Sequence, residues 1–244
     1  MSQHIGIVAC SAPGAALCYS VICTEAPRRL GPHAHPEVSL HAFSFAEHVR
    51  CLETNDWRGV GELLLWSAEK LAAIGAELLI CPDNTAHEAL DLVANRSPLP
   101  WLNVAEIVAG EAQRQGYARV GLLGTRYLMQ GRVYAGRLAA VGIEVVLQGP
   151  AERERLNAII FEELAYGRTP PAAQREVKEI IELLRLREGC EAVILGCTEA
   201  AAPRQPRGLG AANPGLDEAS RARGAGAGNR ARWASRSRRE RLDR

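Results

Sequence analysis

The chain has 244 residues, 47% of them apolar and 23% charged, enough to bury one large core or two small ones and inconsistent with a disulfide-stapled miniprotein, a coiled coil, a collagen or wholesale disorder. Its formal charge of +1 sums two unlike parts: the last 44 residues hold eleven arginines and four acids, a net +7, whereas the first 200 carry a net −6. The seven cysteines, at 10, 18, 23, 51, 81, 190 and 197, are odd in number and show no C-x-x-C spacing, so a reducing cytoplasm is the expected compartment. Residues 5–23, IGIVACSAPGAALCYSVIC, are apolar enough for a signal-peptide core. No Lys or Arg precedes them, however, and Ser11, Pro13, Gly14 and Ser20 interrupt the run. Neither a targeting segment nor a membrane span is expected.

In chain order, the apolar run Ile5 to Cys10 closes on Ser11-Ala12-Pro13-Gly14 and predicts a buried strand, a turn and a helix. The segment GPHAHPEVSLH carries His33, His35 and His41. His-x-His can present two imidazoles to one side of a strand, but no third ligand follows at a suitable spacing. A solvated loop leading into a strand from Val38 to Phe43 is the better reading, and no metal site is expected. Residues 60–74 place apolar side chains on one helical face, Gly75 ends that helix, and ELLIC at 77–81 reads as a strand. A helix over 104–115, a strand over Arg119–Gly124, helices over 130–141, 152–166 and 172–188, and strands over 143–147 and 192–195 complete the alternation. Such alternation predicts an α/β fold with parallel sheet.

An internal offset sharpens this. IGIVAC at 5–10 overlies VGLLGT at 120–125, an offset of 115; GAELLICPDNT at 75–85 overlies GCEAVILGCTE at 189–199, an offset of 114. Two related lobes are therefore expected, 1–103 and 104–200, each with a mostly parallel sheet flanked by helices. Ligands of such sheets bind beyond the carboxyl ends of the strands. Under the second offset Asp83 and Cys197 are equivalent, one per lobe, and would face each other across the cleft.

From Ala201 onward there is no Ile, Val, Phe, Tyr, Met or Lys, so the tail 201–244 cannot build a core. An out-of-frame reading of a GC-rich gene is the leading account, ahead of a solvated tail and of an arginine-rich arm for nucleic acid; a nucleic-acid partner is not expected. No dinucleotide fingerprint, P-loop or Ser-His-Asp signature is present.

The polar strand ends Cys81-Pro82-Asp83-Asn84-Thr85-Ala86-His87 and Gly196-Cys197-Thr198-Glu199 put small hydrogen-bonding groups where backbone amides also bind anions. On residue type alone, a strand-end cysteine is as readily a small buried hydrophobe as a reactive thiol. IGIVACSAPG, PDNTAH, GLLGT and GCTE, in order over residues 4 to about 200, resemble the aspartate/glutamate racemase family within the wider aspartate/glutamate/hydantoin racemase superfamily. The resemblance implies a pseudo-symmetric two-lobed fold, an active site between the lobes, no cofactor, and two cysteines that remove and return the α-proton on opposite faces.

Cys197 matches the second of these cysteines, but Asp83-Asn84-Thr85 stands where the family usually reads Cys-Asn-Thr. A carboxyl group can give and take protons. An ionised Asp83 would repel a dicarboxylate, so a protonated Asp83 or a less anionic substrate is expected in the complex, with unequal rates in the two directions. The resemblance further implies that Asn84, Thr85 and Thr198 hold the substrate carboxylate. Thr125 and Ser11 join them or cap helices. His87 serves the site or its own helix, and Glu199 orients Cys197 or caps the next helix; Cys10, Cys18, Cys23, Cys51, Cys81 and Cys190 are read as packing residues.

The expected function is cofactor-independent racemisation of a small amino acid, most readily an acidic one, with Asp83 and Cys197 as the opposed acid/base pair. A lyase or isomerase of a malonate- or maleate-like diacid using the single thiol is the alternative. A non-catalytic binder of small carboxylates is the third reading, and a homodimer is left open.

Overall fold

The computed structural model describes residues 3–197 and the backbone of residues 229–232. Four strands, β1 (Ile5–Ala9), β2 (Val38–Ala42), β3 (Leu78–Ile80) and β4 (Trp101–Leu102), form a parallel sheet in the order β2-β1-β3-β4. A second sheet contains β5 (Arg119–Leu123), β6 (Glu144–Val146), β7 (Ala192–Leu195) and β8 (Asn229–Arg232) in the order β6-β5-β7-β8. It is parallel except for β8, which runs antiparallel along β7. Apart from β8, the tail 201–244 lies outside the described residues, as do Thr198 and Glu199.

Helices α1 (Ala12–Glu25), α2 (Pro27–Leu30), α3 (Phe45–Glu53), α4 (Trp57–Ala73) and α5 (His87–Val93) flank the first sheet. The second is flanked by α6 (Val104–Arg114), α7 (Arg126–Gln130), α8 (Ala135–Ala139), α9 (Pro150–Glu162) and α10 (Pro171–Glu188). Each lobe has its own core. Leu64, Leu71 and Leu79, each no more than 1% exposed, lie in one cluster built wholly from residues 8 to 101. Leu156, Leu184 and Val193 lie in another drawn from residues 123 to 197. Burying one such side chain contributes about 1.5–3 kcal/mol, so each lobe is held by its own apolar contacts.

The offset seen in the sequence has a packing cause. Gly6 and Gly121 occupy matching places in the central strands β1 and β5. A Cβ at Gly6 would stand 2.9 Å from Leu79 Cδ2 and 3.2 Å from Ala76 Cβ; one at Gly121 would stand 2.8 Å from Leu184 Cδ1. In both lobes the packed side chains close over the strand where it has no side chain of its own. Gly75 and Gly189, equivalent under the other offset, follow α4 and α10 with φ of +92° and +66°, the left-handed values that end a helix.

Several elements depart from the sequence reading. The helix expected from residue 60 begins at Trp57, because Asp56 Oδ1 accepts the Gly59 N–H at 2.8 Å and supplies an N-cap. The helix expected over 130–141 is two short helices, α7 and α8. Between them the Arg132 and Val133 N–H groups donate to Glu88 Oε2 of the other lobe at 2.7 and 3.1 Å, which satisfies these amides without a continuous helix. Helix α3 was not anticipated; at nine residues it is too short for periodicity to stand out.

Candidate active site

The two sheets present the carboxyl ends of their strands to one cleft. From the first lobe it is lined by Ser11, Phe45, Leu52, Asp83, Asn84 and Thr85, and from the second by Thr125, Ile160, Phe161, Ala165, Gly196 and Cys197. The space they surround is about 500 Å³, including its opening to solvent. Six of the seven sequence-derived site residues thus share one cavity; the seventh, Thr198, lies outside the described residues. The apolar wall of Phe45, Leu52, Ile160, Phe161 and Ala165 was not read from the sequence, because it comes from helices whose contribution appears only when the lobes meet.

Asp83 is the third residue after β3, and its Oδ1 accepts the Ala86 N–H at 2.9 Å. The carboxylate therefore also ties down the turn that leads into α5. The Asp83 carbonyl accepts from His87 Nδ1 at 2.8 Å, while His87 Nε2 accepts the Val104 N–H at 3.4 Å. With one ring nitrogen donating to a carbonyl and the other accepting from an amide, the imidazole is neutral with its proton on Nδ1. Burial pulls its pKa below the ordinary value, in keeping with that state. Of the two roles open to His87, the structure gives the local one: the ring is 1% exposed and braces the Asp83 turn against the start of α6.

Three groups join the lobes directly beneath the cleft. Thr85 Oγ1 and Thr125 Oγ1 lie 2.8 Å apart, and Thr125 Oγ1 also accepts the Leu128 N–H at 3.2 Å as the N-cap of α7. Two hydroxyls carry two hydrogens; one makes their mutual bond, and the other remains to donate into the cleft. Tyr134 donates to Asn84 Oδ1 at 2.5 Å. Glu88 makes the backbone contacts described above, and around them Arg137 bonds Asp91 at 2.8 Å. For Thr125 and Ser11 the capping and lining roles coincide, since Ser11 Oγ accepts the Gly14 N–H at 3.4 Å at the start of α1. The fourteen-residue α1 also directs its positive dipole end toward this side of the first sheet.

The thiols separate by environment. Cys197 lines the cleft and is 9% exposed. Cys10 lies 4.0 Å from Cys81, whose sulfur is 4.0 Å from the Asp83 carbonyl. Its hydrogen bond with Cys81, its burial and the nearby Asp83 carboxylate push its pKa well above the ordinary thiol value. Cys10 is therefore a neutral thiol behind Asp83, poorly suited to replace the first-lobe cysteine as a base. Burial likewise pushes Cys18 up to about 12 and Cys190 to about 11, as expected of packing residues; Cys23 is only half-buried.

Among the described residues no three His, Cys, Asp or Glu side chains converge as a metal ligand set. His35 Nδ1 contacts the Pro36 carbonyl oxygen and His41 Nδ1 contacts Ser67 Oγ. The described lining also holds no lysine or arginine. A carboxylate in this cleft would meet hydroxyl, amide and backbone N–H donors. Also among the described residues, no helix is long and apolar enough to cross a membrane.

The profile of the Asp/Glu/Hydantoin racemase family matches residues 6–217. A solved structure from Yersinia pestis, proposed to be an Asp/Glu racemase, superposes with a TM-score of 0.72 at 31% identity, covering 81% of this chain and 86% of that one. An aspartate racemase homologue from Pyrococcus horikoshii OT3 gives a TM-score of 0.68 at 33% identity over 82% of this chain and 87% of its own. A glutamate racemase of Limosilactobacillus reuteri (strain DSM 20016) is 30% identical over 142 residues, 57% of this chain and 51% of that protein. The chain spans about half the length of the curated relatives it matches.

Proposed function

The chain belongs to the Asp/Glu/Hydantoin racemase family, and we propose that it is a cofactor-independent amino-acid racemase of the aspartate/glutamate type, acting between lobes 1–103 and 104–200. One observation carries the reading: Asp83 and Cys197, from equivalent strand ends of opposite lobes, line the same cleft. Racemisation needs an acid and a base on opposite faces of the α-carbon. In one direction the Asp83 carboxylate takes the α-proton, the bond's electron pair is held by the substrate carboxylate as an enediolate, and the Cys197 thiol delivers a proton to the other face. In the reverse direction Cys197 acts as thiolate and Asp83 as acid. Asn84, Ser11 and one hydroxyl of the bonded Thr85–Thr125 pair, with Thr198, donate to the carboxylate where negative charge builds up.

One enantiomer requires the Asp83 carboxylate with the Cys197 thiol, and its mirror image requires protonated Asp83 with the Cys197 thiolate, so the free enzyme serves the two unequally. Because enantiomers are equal in free energy, kcat/KM is the same in both directions. The imbalance falls on kcat and KM separately, and on α-proton exchange without inversion. The seven cysteines without a disulfide suit a cytoplasmic setting.

The deciding experiment is proton NMR of L- and D-aspartate and L- and D-glutamate in heavy water, comparing wild type with Cys197→Ala. Loss of the α-proton signal that depends on Cys197 is expected. A folded wild-type protein that exchanges none of the four would defeat the reading. A second reading, a decarboxylase of malonate-like diacids, is favoured by Cys197 being the only thiol among the described lining residues. There the C–C bond to one carboxyl breaks, CO2 leaves, and the thiol protonates the enediolate. CO2 release from a substituted malonate without amino-acid exchange would select it.

A further inference from the structure

The segment between α7 and α8 carries Tyr134, which is 1% exposed and belongs to the core of the second lobe. Its position is fixed from outside that lobe, because the two preceding residues donate their amides to Glu88. From there the phenol reaches Asn84, fifty residues earlier and in the first lobe, and donates to Oδ1 at 2.5 Å. Burial pushes the phenol's pKa above its ordinary value, so it is a neutral hydroxyl with one hydrogen to give.

A primary amide has an acceptor end and a donor end on opposite arms of one planar group. Asn84 lines the cleft and is 5% exposed. With Oδ1 held on the phenol beneath the cleft, the arm that remains to face a ligand is the NH2. Rotation by a half-turn would reverse this and present carbonyl lone pairs to a bound carboxylate. Nothing intrinsic to asparagine prevents that rotation, because the two ends are nearly equal in size.

We infer that Tyr134 is a positioning residue that locks the Asn84 side chain with its donor end toward the cleft, thereby selecting a carboxylate as the group bound there. The inference rests on the racemase reading for the identity of the ligand but not for the lock itself. A hydrogen bond from a neutral donor to a charged acceptor is stronger than one between neutral groups, and the phenol is needed to keep it pointing correctly. Tyr134→Phe removes one oxygen from a site that keeps its ring.

The test is the Kd of L-aspartate and of malonate, measured by calorimetry on the full chain, together with α-proton exchange kinetics. The panel is wild type, Tyr134→Phe, Asn84→Ala and the double variant. Tyr134→Phe is expected to raise Kd and KM about tenfold, with kcat changed less than about threefold. In the Asn84→Ala background the same substitution is expected to change Kd less than about twofold, because the group it positions is gone. Additive effects, or a Tyr134→Phe protein that binds as tightly as wild type, would overturn the proposal. Should Tyr134→Phe fail to fold, Asn84→Asp decides: it keeps the phenol's acceptor but replaces the NH2 by a carboxylate oxygen. Binding is expected to fall more than about tenfold, and unchanged binding would overturn the lock. Wild type that binds L-aspartate without exchanging its α-proton defeats the racemase reading while leaving these Kd comparisons valid. Failure of wild type to bind either ligand overturns both.

Discussion

Replacing Asp83 by asparagine isolates proton transfer from architecture. The variant keeps Oδ1, which accepts the Ala86 N–H at 2.9 Å, so the bond that closes the turn before α5, worth about 1 kcal/mol, survives. The neighbouring bonds from His87 and Cys81 go to the Asp83 backbone carbonyl and do not depend on the side chain. The melting temperature should therefore stay within about 2–4 °C, the shift that 1 kcal/mol produces in a chain of this size. What the amide cannot do is exchange a proton, and acid/base groups contribute about 10²- to 10⁴-fold, or about 3–5 kcal/mol of barrier. Asp83→Asn should slow racemisation by that factor but leave an asymmetric residue of chemistry. The enantiomer whose α-proton belongs to Asp83 should stop exchanging. The other should still lose its α-proton to the Cys197 thiolate and regain a deuteron on the same face, without inversion. The assay is NMR exchange in heavy water for each enantiomer, paired with chiral chromatography of the products. Racemisation within about threefold of wild type, or equal residual exchange from both enantiomers, would remove Asp83 from the reaction.

Thr85→Val deletes the hydroxyl pair with Thr125 that joins the lobes at 2.8 Å; a stability loss of about 0.5–1.5 kcal/mol by urea titration is expected. Gly6→Ala puts a methyl 2.9 Å from Leu79 Cδ2 and 3.2 Å from Ala76 Cβ, and overpacking of this kind should cost about 1–3 kcal/mol, read as a lower urea midpoint; an unchanged midpoint would mean that the sheet and its covering helix shift apart without strain. His48 on α3 is 4% exposed, and burial lowers its pKa from 6.5 to about 4. The folded imidazole is the poorer base, so the unfolded chain binds the extra proton. The stability this provides is complete above pH 6.5 and is lost as the pH falls toward 4, by about 2 kcal/mol at pH 5 and about 3 kcal/mol below pH 4. His87, lowered by burial in the same way, acts in the same sense. Replacing His48 by glutamine should flatten that part of the stability curve in urea titrations at pH 5 and pH 8; an unchanged slope would show that His48 is protonated in the folded protein.

Much of the architecture was determined locally. The apolar runs ending at Ala9, Ile80, Leu123 and Leu195 are strands because a parallel sheet covered on both faces needs unbroken apolar sequence, and Gly75 and Gly189 mark helix ends by their left-handed backbone. Asp83 and Cys197 were legible as a pair because the repeat places both just past the end of the third strand of its sheet. Other features exist only when the lobes are docked. The break between α7 and α8 depends on Glu88, a residue forty-four positions away, and sequence periodicity cannot register an amide satisfied from another lobe. The donor end of Asn84 is selected by Tyr134, which reads in sequence as one more aromatic in an amphipathic stretch. The role of His87 was undecided until Val104 supplied the second hydrogen bond that fixes its tautomer. Local propensity and apolar pattern decide which segments become strands and helices, since each is settled within a few residues. The choice of which polar atom faces the cleft is made by partners distant in sequence, and it therefore belongs to the tertiary structure.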